Sequence, residues 1–186
     1  MSDSSFSSAA ILGSGSFGMA MAKLLAPKLE SIQLIGRNPE IIAAINSTYR
    51  NPHYLESVAM DENVRASCEL EDAVTHPLVI FAVPTSATRA MAKSLAALGL
   101  APDVTLLSCA KGIEKDTGDR MSEVLREVFP GNPIAVLSGP NHAEEIATGM
   151  ATCAVIGSDD LDLAVRIQEL FTFPHFRSYT LSLIHI

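Results

Sequence analysis

The sequence predicts a doubly wound α/β domain built on a mostly parallel sheet. Short apolar runs, each closed by small residues or proline, recur along the 186-residue chain. Helical patterns lie between most of them, and this alternation of strand and helix is typical of the class. The runs are continuously apolar rather than alternating, which indicates strands covered on both faces, as in a parallel sheet. We therefore predict one domain over residues 1–180.

Six strands and four helices carry this prediction. The strand candidates are AAILGS (9–14), SIQLIG (31–36), PLVIFAVP (77–84), VTLLSCA (104–110), PIAVLSG (133–139) and TCAVIGS (152–158). The helix candidates are residues 17–29, 85–98, 117–129 and 160–171. In the third helix, apolar residues recur at helical spacing from Met121 to Val128, with charges between them. Residues 47–66 are polar and rich in turn formers, so we predict a surface excursion there.

The composition suits a globular protein and excludes several kinds of partner. Hydrophobic residues make up 48% of the chain and charged residues 18%, which argues against disorder. The net charge of -8 leaves no overall basic face for nucleic acid or anionic lipid. Histidines and cysteines show no metal-ligand spacing, so we expect no metal.

Three scattered cysteines, Cys68, Cys109 and Cys153, two of them inside apolar runs, indicate buried thiols in a reducing compartment. The N-terminus lacks the positive start and apolar core of a signal peptide. No apolar stretch reaches the roughly 18 residues that a membrane-spanning helix needs. We therefore expect a cytoplasmic protein without membrane insertion.

Three glycines, Gly13, Gly15 and Gly18, form a GxGxxG motif directly after the first strand. In this position the first glycine permits a tight turn, and the second lets a pyrophosphate approach the backbone. The third allows helix and strand to pack closely. Unpaired N–H groups at the helix start then attract phosphates. The motif, with Ser16 and Phe17 inside it, predicts a dinucleotide coenzyme site; a ligand-free glycine turn is the alternative.

The end of the second strand predicts which coenzyme binds. NAD-specific folds place an acidic residue about 20 residues after the glycines, where it holds the ribose hydroxyls. Here Arg37 follows Gly36 at that point, and a guanidinium can pair with a 2′-phosphate or stack on adenine. We therefore favour NADP over NAD, with Asn38 as a further hydrogen-bonding group. The alternative for Arg37 is an ordinary exposed arginine.

Several longer motifs follow in order along the chain, namely GSGSFGMAMA, NPHYL, FAVPTSATR, CAKGIE, SGPNHAEEIA and FRSYT. Together they resemble the N-terminal, Rossmann-like coenzyme domain of bacterial-type NAD(P)-dependent glycerol-3-phosphate dehydrogenases. The resemblance implies reduction of dihydroxyacetone phosphate to sn-glycerol 3-phosphate, a precursor of glycerophospholipids. Pairing of KGIE with SGP distinguishes this family from other dehydrogenases with a helical second domain.

The resemblance also implies roles for individual residues. Lys111, at the end of the fourth predicted strand, contacts coenzyme and substrate and polarises the substrate carbonyl; a solvated lysine on a turn is the alternative. Asn141 stands where the family usually has serine or threonine, and with Gly139 it binds substrate. The remaining coenzyme contacts are Tyr54, Phe81, Pro84 and Ala143, with a plain core position as the alternative for Phe81. Glu114 and Lys115 are interpreted as charges at a helix start.

In the family, a second, helical domain supplies the lysine that protonates the carbonyl oxygen, and this sequence ends before such a domain. The match extends to about Thr180, and residues 181–186 (LSLIHI) are read as a short tail, either non-native or a strand extension. We expect that the chain alone is inactive and self-associates as a homo-oligomer through exposed surface. The alternative functions are a nucleotide-binding module without catalysis, or another dehydrogenase of the 6-phosphogluconate-dehydrogenase-like group.

Overall fold

The structure, a computed structural model, describes residues 6–182. Within them lies an eight-stranded sheet with the strand order β3-β2-β1-β4-β5-β6-β7-β8. The strands are β1 Ser8–Leu12, β2 Ser31–Ile35, β3 Val64–Ser67, β4 Leu78–Phe81, β5 Thr105–Ser108, β6 Ile134–Ser138, β7 Thr152–Ser158 and β8 Phe176–Ser182. The helices are α1 Ser16–Leu25, α2 Pro39–Thr48, α3 Thr85–Ala97, α4 Met121–Val128, α5 Ala143–Ala147 and α6 Leu161–Leu170, and a 3-10 helix spans Leu70–Thr75.

The sheet confirms the doubly wound, mostly parallel prediction. Strand β1 pairs in parallel with both β2 and β4, so the chain winds outward in one direction and then in the other. The β6–β7 pair is antiparallel, and the β7–β8 pair is parallel again. The reversal of winding beside β1 opens a crevice at the carboxyl ends of the strands, where folds of this class bind ligands.

Apolar side chains fill both faces of the sheet, which explains the continuous apolar runs. Along β1, Ile11 packs into one core while Ala10 and Leu12 pack into the other. Within β4, Ile80 and Phe81 divide in the same way. No helix in the described part of the chain is long and apolar enough to cross a membrane.

Helix α2, strands β3 and β8 and the 3-10 helix at Leu70–Thr75 were not among the predicted elements. The excursion assigned to residues 47–66 contains the end of α2 and most of β3. Strand β3 has only four residues with alternating burial, so it lacks the long apolar run that marks the other strands. Strand β8 includes the first two residues of the predicted tail, while residues 183–186 lie outside the described residues.

Candidate functional site

The glycine loop joins β1 to α1 at the centre of the sheet, and its three glycines do different things. Gly13 has φ +117°, and a Cβ there would lie 2.5 Å from the carbonyl oxygen of Ala82. A Cβ on Gly18 would lie 1.8 Å from the carbonyl oxygen of Gly13, so α1 packs against the glycine loop too closely for any side chain at residue 18. Gly15 differs, because no atom lies within 4 Å of its Cβ position. Two glycines thus serve packing, and the third leaves the backbone accessible to a ligand.

A cleft of about 650 Å³ extends from this loop toward the end of β2. Its polar lining includes Ser14, Arg37, Asn38 and Tyr54. The Oδ1 of Asn38 accepts the N–H of Glu40 at 2.9 Å, so this side chain caps α2. The described residues that line the cleft include no carboxylate, a feature that suits a phosphate group at this end.

A second cleft, of about 420 Å³, lies on the other side of the loop. Ser16, Phe17, Pro84 and Lys111 line it, and Gly15 lines both clefts. The Nζ of Lys111 lies 5.8 Å from the ring centroid of Phe17. The two clefts therefore meet at the glycine loop, which is the geometry that a ligand of two nucleotides with a central diphosphate requires.

Lys111 is held by a residue from the neighbouring strand end. Its Nζ donates to the backbone carbonyl of Asn141 at 3.0 Å and to Oδ1 of Asn141 at 2.9 Å. Asn141 is only 3% exposed, and its Nδ2 donates to the carbonyl of Cys153 at 3.3 Å. The structure therefore brings Lys111 and Asn141 together, and it gives the asparagine a supporting contact to the lysine.

Gly139 and Ala143 lie on either side of Asn141, at the turn between β6 and α5. Gly139 has φ +144°, and a Cβ there would be 3.1 Å from the Cα of Ala154, so this turn needs glycine. Ala143 is buried at the start of α5, which packs against α1. None of the three residues is among those that line the two clefts, and Asn141 reaches the second cleft only through its contact with Lys111.

Phe81 requires a correction. Its side chain has no exposed surface and packs with Leu12, Val79 and their neighbours in one of the two cores. A side chain without exposed surface cannot line a cleft, so Phe81 is a core residue. The backbone that follows it, at Val83 and Pro84, does line both clefts.

An ion pair that the sequence did not reveal anchors the loop after Lys111. Arg89, on α3, donates from Nε and Nη2 to the two carboxylate oxygens of Glu114, both at 2.8 Å. Hydrogen bonds from Arg89 and then from Thr117 lower the pKa of Glu114 to about 2. Helix α4 begins only at Met121, so the interpretation of Glu114 as a helix-start charge was wrong. The 25 residues between the partners leave no local signal of this contact.

Of the three cysteines predicted to be buried, Cys109 is buried, Cys153 is half-buried and Cys68 is exposed, so the prediction was wrong for Cys68. Cys109 lies beside Lys111 in the second cleft. Burial raises the pKa of its thiol to about 12, against a smaller opposing effect of the Lys111 charge. The thiol is therefore neutral at pH 7 and is a poor nucleophile.

The sequence model of the family described as NAD-dependent glycerol-3-phosphate dehydrogenase N-terminus matches residues 8–164. The chain belongs to this family. The resemblance found in its motifs is thereby confirmed.

Individual relatives agree with the family match. The NAD(P)+ glycerol-3-phosphate dehydrogenase of Clostridium tetani is 38% identical over 170 residues, covering 91% of this chain and 48% of the relative. The corresponding protein of an Exiguobacterium is 40% identical over 174 residues, covering 91% and 51%. The crystal structure of glycerol-3-phosphate dehydrogenase from Coxiella burnetii superposes with a TM-score of 0.87 at 25% identity, covering 95% of this chain and 54% of that one. The chain thus spans about half the length of the curated relatives it matches.

Proposed function

We propose that this chain is the coenzyme-binding half of an NAD(P)-dependent glycerol-3-phosphate dehydrogenase. The observation that carries the proposal is the groove formed by two clefts that meet at Gly15, with Arg37 at one end and Lys111 at the other. Relatives of similar sequence are named for this activity. The substrate would be dihydroxyacetone phosphate or glycerol 3-phosphate, in the direction that yields glycerophospholipid precursors.

The coenzyme would lie with its diphosphate against the main chain of Gly13 and Gly15 and the start of α1. The larger cleft would hold the adenosine, with Tyr54 beside it. The absence of a carboxylate among the described lining residues, together with Arg37, supports NADP over NAD. Asn38 would contribute through the helix start that it caps rather than through a free amide oxygen.

The smaller cleft would hold the nicotinamide between Phe17 and Pro84, where the bound coenzyme supplies or accepts a hydride. Lys111 would direct its ammonium group to the oxygen of the substrate carbonyl and stabilise the charge that develops there. Asn141 would hold Lys111 in the cleft, because both of its oxygens accept from Nζ. Gly139 and Asn141 would bring the β6–α5 turn to the substrate, and Ala143 would contact the coenzyme from the start of α5.

Reduction of a ketone also needs a proton on the new alkoxide. The resemblance assigns that proton to a lysine of the family's helical domain. We therefore expect the polypeptide of residues 1–186, assayed by itself, to bind coenzyme without appreciable turnover. We also place the protein in the reducing cytoplasm, in keeping with the free thiols of Cys68, Cys109 and Cys153.

Titration calorimetry of the purified chain with NADPH and NADH tests the proposal. We expect both to bind, NADPH more tightly, and expect glycerol 3-phosphate to add heat only when coenzyme is present. Absorbance of the nicotinamide, followed with dihydroxyacetone phosphate present, should show negligible oxidation. The absence of heat from either coenzyme at millimolar levels would refute the coenzyme site. Binding of coenzyme with no response to the phosphate ester would instead favour a nucleotide-binding module.

A further inference from the structure

Asn51 is a fully buried polar residue in the irregular segment between α2 and β3. A polar side chain in such a position is stable only when its hydrogen-bonding groups find partners. Asn51 finds them on two different parts of the proposed groove. The Asn51 side chain therefore connects two parts of the groove in addition to filling space in the core.

The Asn51 side chain joins the glycine loop to the loop that carries Tyr54. Its Nδ2 donates to the carbonyl of Ser14 at 2.9 Å. Its Oδ1 accepts the N–H groups of His53 at 2.9 Å and Tyr54 at 3.2 Å. Only this orientation of the amide gives a donor to the carbonyl and an acceptor to the two N–H groups. Ser14 and Tyr54 both line the larger cleft.

The bond to Ser14 sets the direction of one peptide group in the glycine loop. A peptide bond is planar and trans, so its C=O and the N–H of the next residue point in opposite directions. With the Ser14 carbonyl held on Asn51, the N–H of Gly15 must point away from Asn51. Gly15 is the residue with open space around it and lines both clefts. Glycine itself does not fix this direction, because it has few conformational restrictions.

We propose that Asn51 is a positioning residue for the diphosphate of the coenzyme. It fixes the Ser14–Gly15 peptide in a single orientation and ties the Tyr54 loop to it, so that both are in place before the ligand arrives. The inference rests on the proposed coenzyme site. Without Asn51, the ligand would have to order both loops itself, which lowers its affinity.

Asn132 offers a matched control. It is also buried, at 6% exposed, and its Nδ2 donates to the carbonyls of Ala101 and Val104 at 2.8 and 2.9 Å. It precedes β6 and therefore lies at the amino edge of the sheet, opposite the groove. The two asparagines make similar bonds, but only one of them touches the proposed site.

The experiment compares two ligands by calorimetry on the full chain. ADP-ribose carries the diphosphate, whereas 2′-AMP lacks it. The variants are Asn51→Ala, Asn51→Ser and Asn132→Ala, each measured where circular dichroism shows it folded. The serine hydroxyl can still accept an N–H two residues on, as asparagine does, but does not reach Ser14. It therefore keeps the turn at residues 51–54 if the alanine variant fails to fold.

We expect both Asn51 variants to bind ADP-ribose about tenfold more weakly, the scale set by one unsatisfied buried hydrogen-bonding group. In Asn51→Ser, which keeps the turn that carries Tyr54, binding of 2′-AMP should stay within about twofold of wild type, and Asn132→Ala should bind both ligands normally. Wild-type affinity of folded Asn51→Ser for ADP-ribose would overturn the inference. Equal losses for both ligands in Asn51→Ser, or an equal loss in Asn132→Ala, would overturn it as well. A wild-type chain that binds neither ligand would overturn the proposed function itself.

Discussion

Alanine substitutions in the glycine loop should separate folding from binding. A Cβ on Gly18 would lie 1.8 Å from the Gly13 carbonyl oxygen, whereas real Cβ atoms essentially never come closer than 3.0 Å to such an atom. The contact is with backbone, so α1 must move away from the loop by roughly 1 Å. Overpacking of this kind costs about 1–3 kcal/mol. We therefore expect Gly18→Ala to lower the free energy of unfolding by at least that much.

Gly15→Ala should instead weaken binding while leaving the free energy of unfolding nearly unchanged. Gly15 has φ -80° and ψ -175°, a conformation that alanine adopts readily, and its Cβ would meet no atom within 4 Å. The gain of about 0.4–1 kcal/mol from replacing a glycine at a compatible position is offset because Gly15 is the N-cap of α1, where alanine is less favourable than glycine. The new methyl group, however, would occupy the space where the diphosphate approaches the main chain. We expect affinity for NADPH to fall by at least about tenfold, or 1.4 kcal/mol.

Urea unfolding and titration calorimetry measure the two effects separately. Gly131→Ala is the control, since its Cβ would have Pro102 at 3.9 Å as its only near neighbour and it lies far from the groove. It should leave the affinity for NADPH unchanged and shift the free energy of unfolding by no more than about 1 kcal/mol. If Gly15→Ala bound NADPH as wild type does, the main chain of the loop would not be the diphosphate site. If Gly18→Ala were as stable as Gly15→Ala, the packing argument would fail.

Three further outcomes follow from the site. Arg89 lowers the pKa of Glu114 to about 2, so their ion pair stabilises the fold fully above the ordinary pKa near 4.5 and less as the pH falls toward 2. Glu114→Gln should therefore make the free energy of unfolding depend less on pH in the acid range. An unchanged stability–pH curve would contradict this. Arg37→Ala should lower the affinity for NADPH roughly tenfold and change the affinity for NADH little, because only the 2′-phosphate loses a charge-assisted partner. Equal losses of affinity in calorimetry would assign Arg37 another role. Cys68 is exposed and lines the larger cleft, so saturating NADPH should slow its alkylation by iodoacetamide, as measured by mass spectrometry. Buried Cys109 should stay unlabelled with or without NADPH. If NADPH left the labelling rate of Cys68 unchanged, the adenosine would have to bind elsewhere.

The sequence predicted those parts of the fold and site that depend on neighbouring residues. Continuous apolar runs identified six of the strands, and the glycine spacing located the loop between β1 and α1. Strand β3 was missed because four residues on a sheet edge carry no long apolar run. Helix α2 was missed although it has a local signal, since Asn38 caps it and Pro39 occupies its first position.

Contacts between distant segments were beyond the reach of sequence patterns. Arg89 meets Glu114 across 25 residues, and Asn51 meets Ser14 across 37. Lys111 and Asn141 stand at the ends of adjacent strands, yet nothing in either motif indicates that one holds the other. Phe81 illustrates the reverse case, because its motif pointed to the cleft, whereas both faces of β4 are covered and its side chain therefore packs into a core.

The groove also explains how a protein of net charge -8 could hold an anionic coenzyme. Among the described residues that line its two clefts, Arg37 and Lys111 are the only charged side chains, and both are positive. They stand at opposite ends, so the middle of the groove has no charged group of its own. There the attraction must come from backbone N–H groups and the start of α1, whose partial charge acts only within the first turn. Orientation of single peptide groups then matters more than net charge. We therefore expect Asn51, which is neutral and fully buried, to influence the affinity for a diphosphate as much as a surface cation would.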